Sequence, residues 1–109
     1  MSFLIRQISR TSDGREIIRA YPHNVREIII GREASCEIHL ADLAVELRHA
    51  RLTLQPNGKL DVVALAGNGF EVDGSKTSQA VIDPVGGSEL RFGSHLLVIS
   101  VDDGVVVIT

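Results

Sequence analysis

The sequence predicts an all-β domain, a two-sheet β-sandwich of about eleven short strands. Apolar residues come in short runs or alternate with polar ones, and no segment holds helical spacing over three turns. Turn residues, chiefly Asp-Gly, Asn-Gly, Gly-Gly and Pro, break these runs about every 8–12 positions, the rhythm of a sandwich. With 109 residues, 44% apolar and 23% charged, the chain reads as one domain over 1–109. A domain of that size buries roughly two-thirds of its unfolded surface without a metal or disulfide.

Phe3 to Ile8 forms the first strand, and Asp13-Gly14 supplies a positive-φ turn into Glu16 to Arg19, making a hairpin. Ala20 to Asn24 reads as a loop, because Pro22 withholds a ladder donor. Glu27 to Ile30 follows, then the four-residue strand Glu37 to Leu40. Ala50, Leu52 and Leu54 alternate with Arg51, Thr53 and Gln55, so that strand has one face on the core and one in water. Asn57-Gly58 reads as a type I′ turn into Leu60–Leu65. Phe70 to Val72 ends at Asp73-Gly74, and Ala80 to Ile82 closes at Pro84. Gly86-Gly87 leads into Glu89–Phe92, Gly93 turns the chain into Leu96–Val101, and Asp102-Asp103-Gly104 makes a last hairpin into Val105–Ile108.

Composition excludes several classes. A net charge of −3 with no Lys/Arg stripe argues against a nucleic-acid partner. The single cysteine, Cys36, permits no internal disulfide and has no metal-ligand spacing around it, so no cofactor or metal is expected, and the compartment reads as reducing and cytoplasmic. The opening MSFLIRQISR is too short for a signal-peptide core, and no run approaches the ~20 residues of a membrane span. The chain stops on the apolar run Val105–Ile108 and Thr109, read either as a final sheet strand or as the end of a domain within a longer polypeptide.

The stretch that carries function runs from Gly31 to Ala50, GREASCEIHLADLAVELRHA. Gly31, Arg32, Glu37, Ile38, Leu40, Asp42, Val45, His49 and Ala50 stand at the spacing of a Gly-Arg, acidic-Ile-x-Leu, Val-Ser-Arg-x-His-Ala pattern. In this the chain resembles the forkhead-associated (FHA) family, over residues 28 to about 98. The departure is Glu46-Leu47, where the family carries Ser-Arg.

The resemblance implies an FHA/SMAD-like sandwich with first and last strands side by side, and phosphothreonine binding by loops at one end. Arg32 matches the phosphate-binding arginine, Glu46 stands at the phosphate-binding serine, and Leu47 replaces its polar neighbour. Asn68-Gly69 matches the Asn-Gly that reads the peptide backbone, with Gly67 in place of a hydroxyl residue. Gly31 and His49 match the positions that brace the loops. On this reading the phosphothreonine site (Arg32, Glu46, Leu47, Asn68, Gly69) is vestigial. Glu46 is expected to fill the anion position from within by pairing with Arg32.

Plainer readings stand beside these. Arg32 is a surface arginine, Asn68 a turn residue tolerant of positive φ, and His49 a loop brace suited to neutral imidazole, with one donor and one acceptor. His23, His39 and His95 read as surface or filler, and Cys36 as an inert thiol. Gly86-Gly87-Ser88 is not a nucleophile elbow, and Gly67-x-Gly69 lacks the setting of a dinucleotide loop. No enzyme is expected.

The expected function is therefore a non-catalytic interaction module for a protein or phosphoprotein partner, or for another domain of its own polypeptide. One alternative keeps phosphothreonine-peptide binding through Arg32 and Asn68. Another is an assembly domain that forms a homodimer or docks on a larger membrane or redox protein, without direct membrane insertion.

Overall fold

Twelve strands, one more than the sequence suggests, pack as two sheets in the computed structural model, which describes residues 2–109, the side chains of Ser9 and Arg10 excepted. They are β1 (Phe3–Arg10), β2 (Glu16–His23), β3 (Glu27–Gly31), β4 (Ile38–His39), β5 (Ala50–Leu54), β6 (Leu60–Ala64), β7 (Phe70–Val72), β8 (Ser75–Thr77), β9 (Gln79–Ile82), β10 (Ser88–Phe92), β11 (His95–Asp102) and β12 (Val105–Ile108). One sheet has seven strands in the order β2-β1-β12-β11-β10-β7-β8, the other five in the order β4-β3-β5-β6-β9. β1 and β12 pair in parallel, Phe3 against Val106 and Ile5 against Ile108, so the first and last strands lie side by side as expected. Among the described residues no helix is long and apolar enough to cross a membrane.

Three local expectations are corrected. The strand that escaped notice is β8, whose Ser-Lys-Thr has no apolar alternation. Its existence rests on the turn before it, where Asp73 (φ 48°) and Gly74 (φ 88°) both take positive φ, the requirement of a type I′ hairpin.

β2 does not stop at Arg19 but runs through Pro22 to His23. Thr11 and Arg15 exchange the closing backbone bond, so odd-numbered residues of β2 face β1 and even-numbered ones point to the open edge. Pro22 therefore lacks an N–H only where none is needed.

Asn57-Gly58 is not a type I′ turn. Gly58 alone has positive φ (85°). Its N–H bonds Gln55 O at 2.9 Å, and the Gln55 N–H bonds Lys59 O at 2.9 Å. Pro56, with φ preset near −65°, favours a type I turn followed by a glycine bulge.

Alternate residues of each strand face the other sheet. Phe3, Leu90, Phe92 and Ile99 from the larger sheet meet Ile28, Ile30, Leu52, Leu54 and Leu60 from the smaller, all of them fully buried. Each contributes about 1.5–3 kcal/mol over exposure. Phe92 sits at the end of this core nearest the loops, stacked on Phe70 (centroids 5.5 Å, planes 29° apart). Removing it empties a volume that both sheets line. Phe92→Ala is expected to cost about 3–5 kcal/mol, read as a lowered urea midpoint with unchanged slope.

Candidate functional site

Three loops meet at one end of the sandwich: residues 32–37 after β3, 40–49 between β4 and β5, and 65–69 between β6 and β7. Their approach is too close for side chains at two positions. A Cβ on Gly31 would collide with the Leu47 carbonyl oxygen and lie 3.0 Å from Arg48 Cα. Gly69 has φ of 63°, and a Cβ there would come within 2.7 Å of Thr77 O. These contacts are the physical reason for glycine in the Gly-Arg and Asn-Gly pairs.

With Gly31 bare, the first two loops zip together. The Arg32 N–H bonds Glu46 O at 2.9 Å, and the Glu33 N–H bonds Leu47 O at 3.0 Å. The Leu40 N–H closes on Gly31 O at 2.9 Å, and Val45, fully buried, plugs the 40–49 loop into the core. Glu37 helps from the side, its Oε1 accepting the Ile29 N–H at 2.7 Å.

His49 joins the third loop to these. Its ring is buried and meets Phe92 edge-on, centroids 5.3 Å apart at 87°. Nδ1 accepts the Glu46 N–H at 3.0 Å, and Nε2 reaches Gly69 O at 2.5 Å. An imidazole that accepts at one nitrogen and donates to a carbonyl at the other is the neutral Nε2–H tautomer. His49 thus links the 40–49 and 65–69 loops, and its own N–H and C=O bond Ile30 O and the Leu65 N–H.

The expected pairing of Glu46 with Arg32 is corrected. Arg32 Nε donates to Val45 O at 3.1 Å, and among the described residues no ion pair joins it to Glu46. Glu46 Oε1 instead accepts from Asn68 Nδ2 at 2.7 Å. Glu46 and Asn68 therefore tie the 40–49 loop to the 65–69 loop. Leu47 lies beside them with its side chain half exposed. Gly67 has open space where a Cβ would project. A cleft of about 340 Å³ adjoins Asn68, floored by His49 and Phe70 and flanked by Lys76 and Arg91. A larger groove of about 1020 Å³ lies between the β1–β2 hairpin and residues 35–41, and is lined in part by the first two loops.

Two histidines read as filler have structural partners: His39 Nε2 contacts Arg32 O at 3.0 Å, and His95 Nε2 lies 3.5 Å from Asp42 Oδ2. His23 lines the larger groove.

Asp42 ties the 40–49 loop to the β10–β11 turn. Its Oδ1 accepts the Ala44 N–H at 2.9 Å, and its Oδ2 accepts the Ser94 hydroxyl at 2.9 Å. The Ala44 amide and then the Ser94 hydroxyl, with His95 adding charge, hold this carboxyl below its usual range. Sequence pattern marks Asp42 as a family position, but its partners lie about fifty residues on, with no local signal. Cys36 is buried with Sγ 3.5 Å from Leu47 O; burial, then Glu33 and Glu37, push its thiol up, as an inert cysteine requires.

The FHA domain family model matches residues 28–93. The chain belongs to the FHA domain family. That family comprises phosphopeptide-binding protein-interaction modules. The FHA domain of the CT664 protein from Chlamydia trachomatis superposes with a TM-score of 0.63 at 18% identity, over 88% of this chain and 93% of that one. An FHA domain studied for phosphothreonine-dependent interactions gives 0.68 at 20%, over 94% and 98%. An engineered FHA domain solved with a Myc-pTBD peptide gives 0.66 at 21%, over 92% and 90%. At these identities the likeness shows the fold. Among curated protein sequences none matches this FHA domain.

His49→Ala removes the acceptor for the Glu46 N–H and the donor for Gly69 O. A loss of about 2–4 kcal/mol is expected in urea unfolding, with hydrogen exchange at Glu46 and residues 67–69 accelerated. Asp42 titrates lower folded than unfolded, near 3.9 in the unfolded chain. Its stabilisation is therefore full above the unfolded value and lost as pH falls through the lowered one. The stability gap between wild type and Asp42→Asn should be full above about pH 5 and shrink as pH falls through the lowered folded value, measured by urea titration across pH.

Proposed function

We propose that this FHA domain is a non-catalytic interaction module that takes its protein partner without phosphate dependence, because its own carboxylate stands where phosphothreonine would bind. The carrying observation is the 2.7 Å bond from Asn68 to Glu46. It occupies the amide that would hold a peptide backbone and places negative charge at the position matching the phosphate-binding serine. A carboxylate about 4 Å from each unit of phosphate charge costs on the order of 4 kcal/mol at an effective dielectric of 20. After screening, ~3 kcal/mol remains, about a hundredfold in affinity.

What the loop end offers instead is apolar. Leu43 is 88% exposed and Leu47 54%, on either side of Glu46. These side chains, with Arg32 beside them, suit an unphosphorylated surface. The Asp42, Ser94 and His95 group does not support catalysis: hydroxyl and imidazole both address Oδ2 of one carboxylate, so the imidazole does not activate the hydroxyl.

The reading is tested with a library of phosphothreonine peptides and their unphosphorylated forms, titrated at low and high salt. Wild type should show no phosphate preference. Glu46→Ser with Gly67→Thr, which fills open space, should bind phosphothreonine at least about a hundredfold more tightly than wild type, with an affinity that falls as salt rises. Tight, salt-sensitive phosphothreonine binding by wild type would overturn the reading, and would favour direct use of Arg32 and Asn68.

A further inference from the structure

We infer that the outward face of the seven-stranded sheet is a self-association surface, on which two copies pack about a two-fold axis running along the strands between β11 and β12. The two outer faces of this sandwich differ in kind. On the five-stranded sheet, adjacent strands place Ile29, Arg51, Val63 and Gln79 in one row and Glu27, Thr53, Asp61 and Val81 in the next, so every apolar side chain has polar neighbours. The larger sheet breaks that rule across β2, β1, β12 and β11. One of its rows reads Pro22, Leu4, Val107, Ser100 and carries no charge. Val107 is only 3% exposed although its register places it on the outward face. Val98 in the row beside it, and Ile8, Ile18 and Leu96 in the row beyond that, are 42–57% exposed. An outer sheet face with this composition marks an interface.

Charge placement selects a second copy as the occupant. The neighbouring row runs Arg6, Thr109, Val98, Glu89 across four adjacent strands. Ile5 pairs Ile108, which brings Arg6 beside Thr109; Thr109 and Val98 exchange two backbone bonds of 2.9 Å; and Val98 pairs Glu89. At about 4.8 Å per strand, Arg6 and Glu89 stand roughly 14 Å apart and equally far from the line between β12 and β11. A two-fold axis on that line lays Arg6 of each copy over Glu89 of the other, with Thr109 over Val98. Arg and Glu side chains together reach across the ~10 Å between packed sheets. Arg91 then lies opposite Ile8, its stem on the apolar side chain and its guanidinium at the rim. The face is thus complementary to itself: the row of Pro22, Leu4, Val107 and Ser100 carries no charge, two equivalent ion pairs stand in the row beside it, and Asp102 lies at the far end of β11. Its modest extent predicts a weak, concentration-dependent dimer. The peptide-facing loops lie outside it.

Sedimentation equilibrium from about 10 µM to 1 mM tests this, with circular dichroism melts to confirm that each variant is folded. Wild type should shift from monomer toward dimer with concentration, and Val98→Lys should remain monomeric. Arg6→Glu and Glu89→Arg should each weaken association about tenfold or more, by opposing like charges. The Arg6→Glu/Glu89→Arg double variant should recover to within about threefold of wild type, because it exchanges the partners of both pairs. A wild-type monomer at 1 mM overturns the inference, including the case in which the face belongs to a different protein. Association indifferent to the single charge swaps, or a double variant no tighter than the singles, overturns this interface.

Discussion

The functional end of the molecule hangs on one imidazole. His49 takes the Glu46 amide at one nitrogen and gives its proton to the Gly69 carbonyl at the other, while Phe92 holds the ring edge-on beneath. Leu40 and Val45 plug the 40–49 loop into the core. The mutual placement of the loops is a matter of hydrogen bonds in a dry setting, where each unmade bond costs the full desolvation of its group. Because the ring is buried and both nitrogens are used, moving one loop relative to another means breaking a bond that water cannot replace. The two close glycines belong to the same constraint. Only when Gly31 and Gly69 present bare backbone can the chain segments come near enough for a single five-membered ring to span them.

Much of this was legible in the sequence. The spacing from Gly31 to His49 is long and specific, and it reports a backbone geometry with few solutions. It therefore foretold the sandwich itself. What sequence could not give was the partner of Glu46. Arg32 and Asn68 both lie in matching places, and charge alone favours the arginine. The structure decides otherwise, since Val45 O already holds Arg32 Nε while the Asn68 amide comes within 2.7 Å of the carboxylate. Such a choice turns on ångström-scale reach, which no spacing rule encodes. β8 was missed because three polar residues carry no periodicity, and Pro22 misled because strand edges are not marked in a sequence. The asymmetry of the two outer faces was hidden for a related reason. Alternation shows that half the residues of a strand point outward, but only the register shows that Leu4, Val107 and Pro22 share one row.

Glutamate at position 46, where the family pattern carries serine, leaves the family fold intact, and on the function we propose it changes what the loops accept. That separation is possible because the scaffold and the site draw on different interactions. The scaffold is apolar burial between two sheets. The site is a handful of polar atoms at one end, and those atoms can be matched to each other as readily as to a ligand.

The parallel pairing of β1 with β12 carries a consequence for how the chain reaches this state. Phe3 to Ile5 obtain their neighbour on that side from residues about a hundred positions later. During synthesis, the sheet edge opened by the first hairpin stays bare until β12 has emerged, and within this domain the ladder between β1 and β12 closes last. Loop-closure entropy over so long a span makes this a slow step. Nascent chains thus hold a one-sided strand of Phe-Leu-Ile until β12 emerges, and a folding helper that shields that strand would act on the part most in need of it.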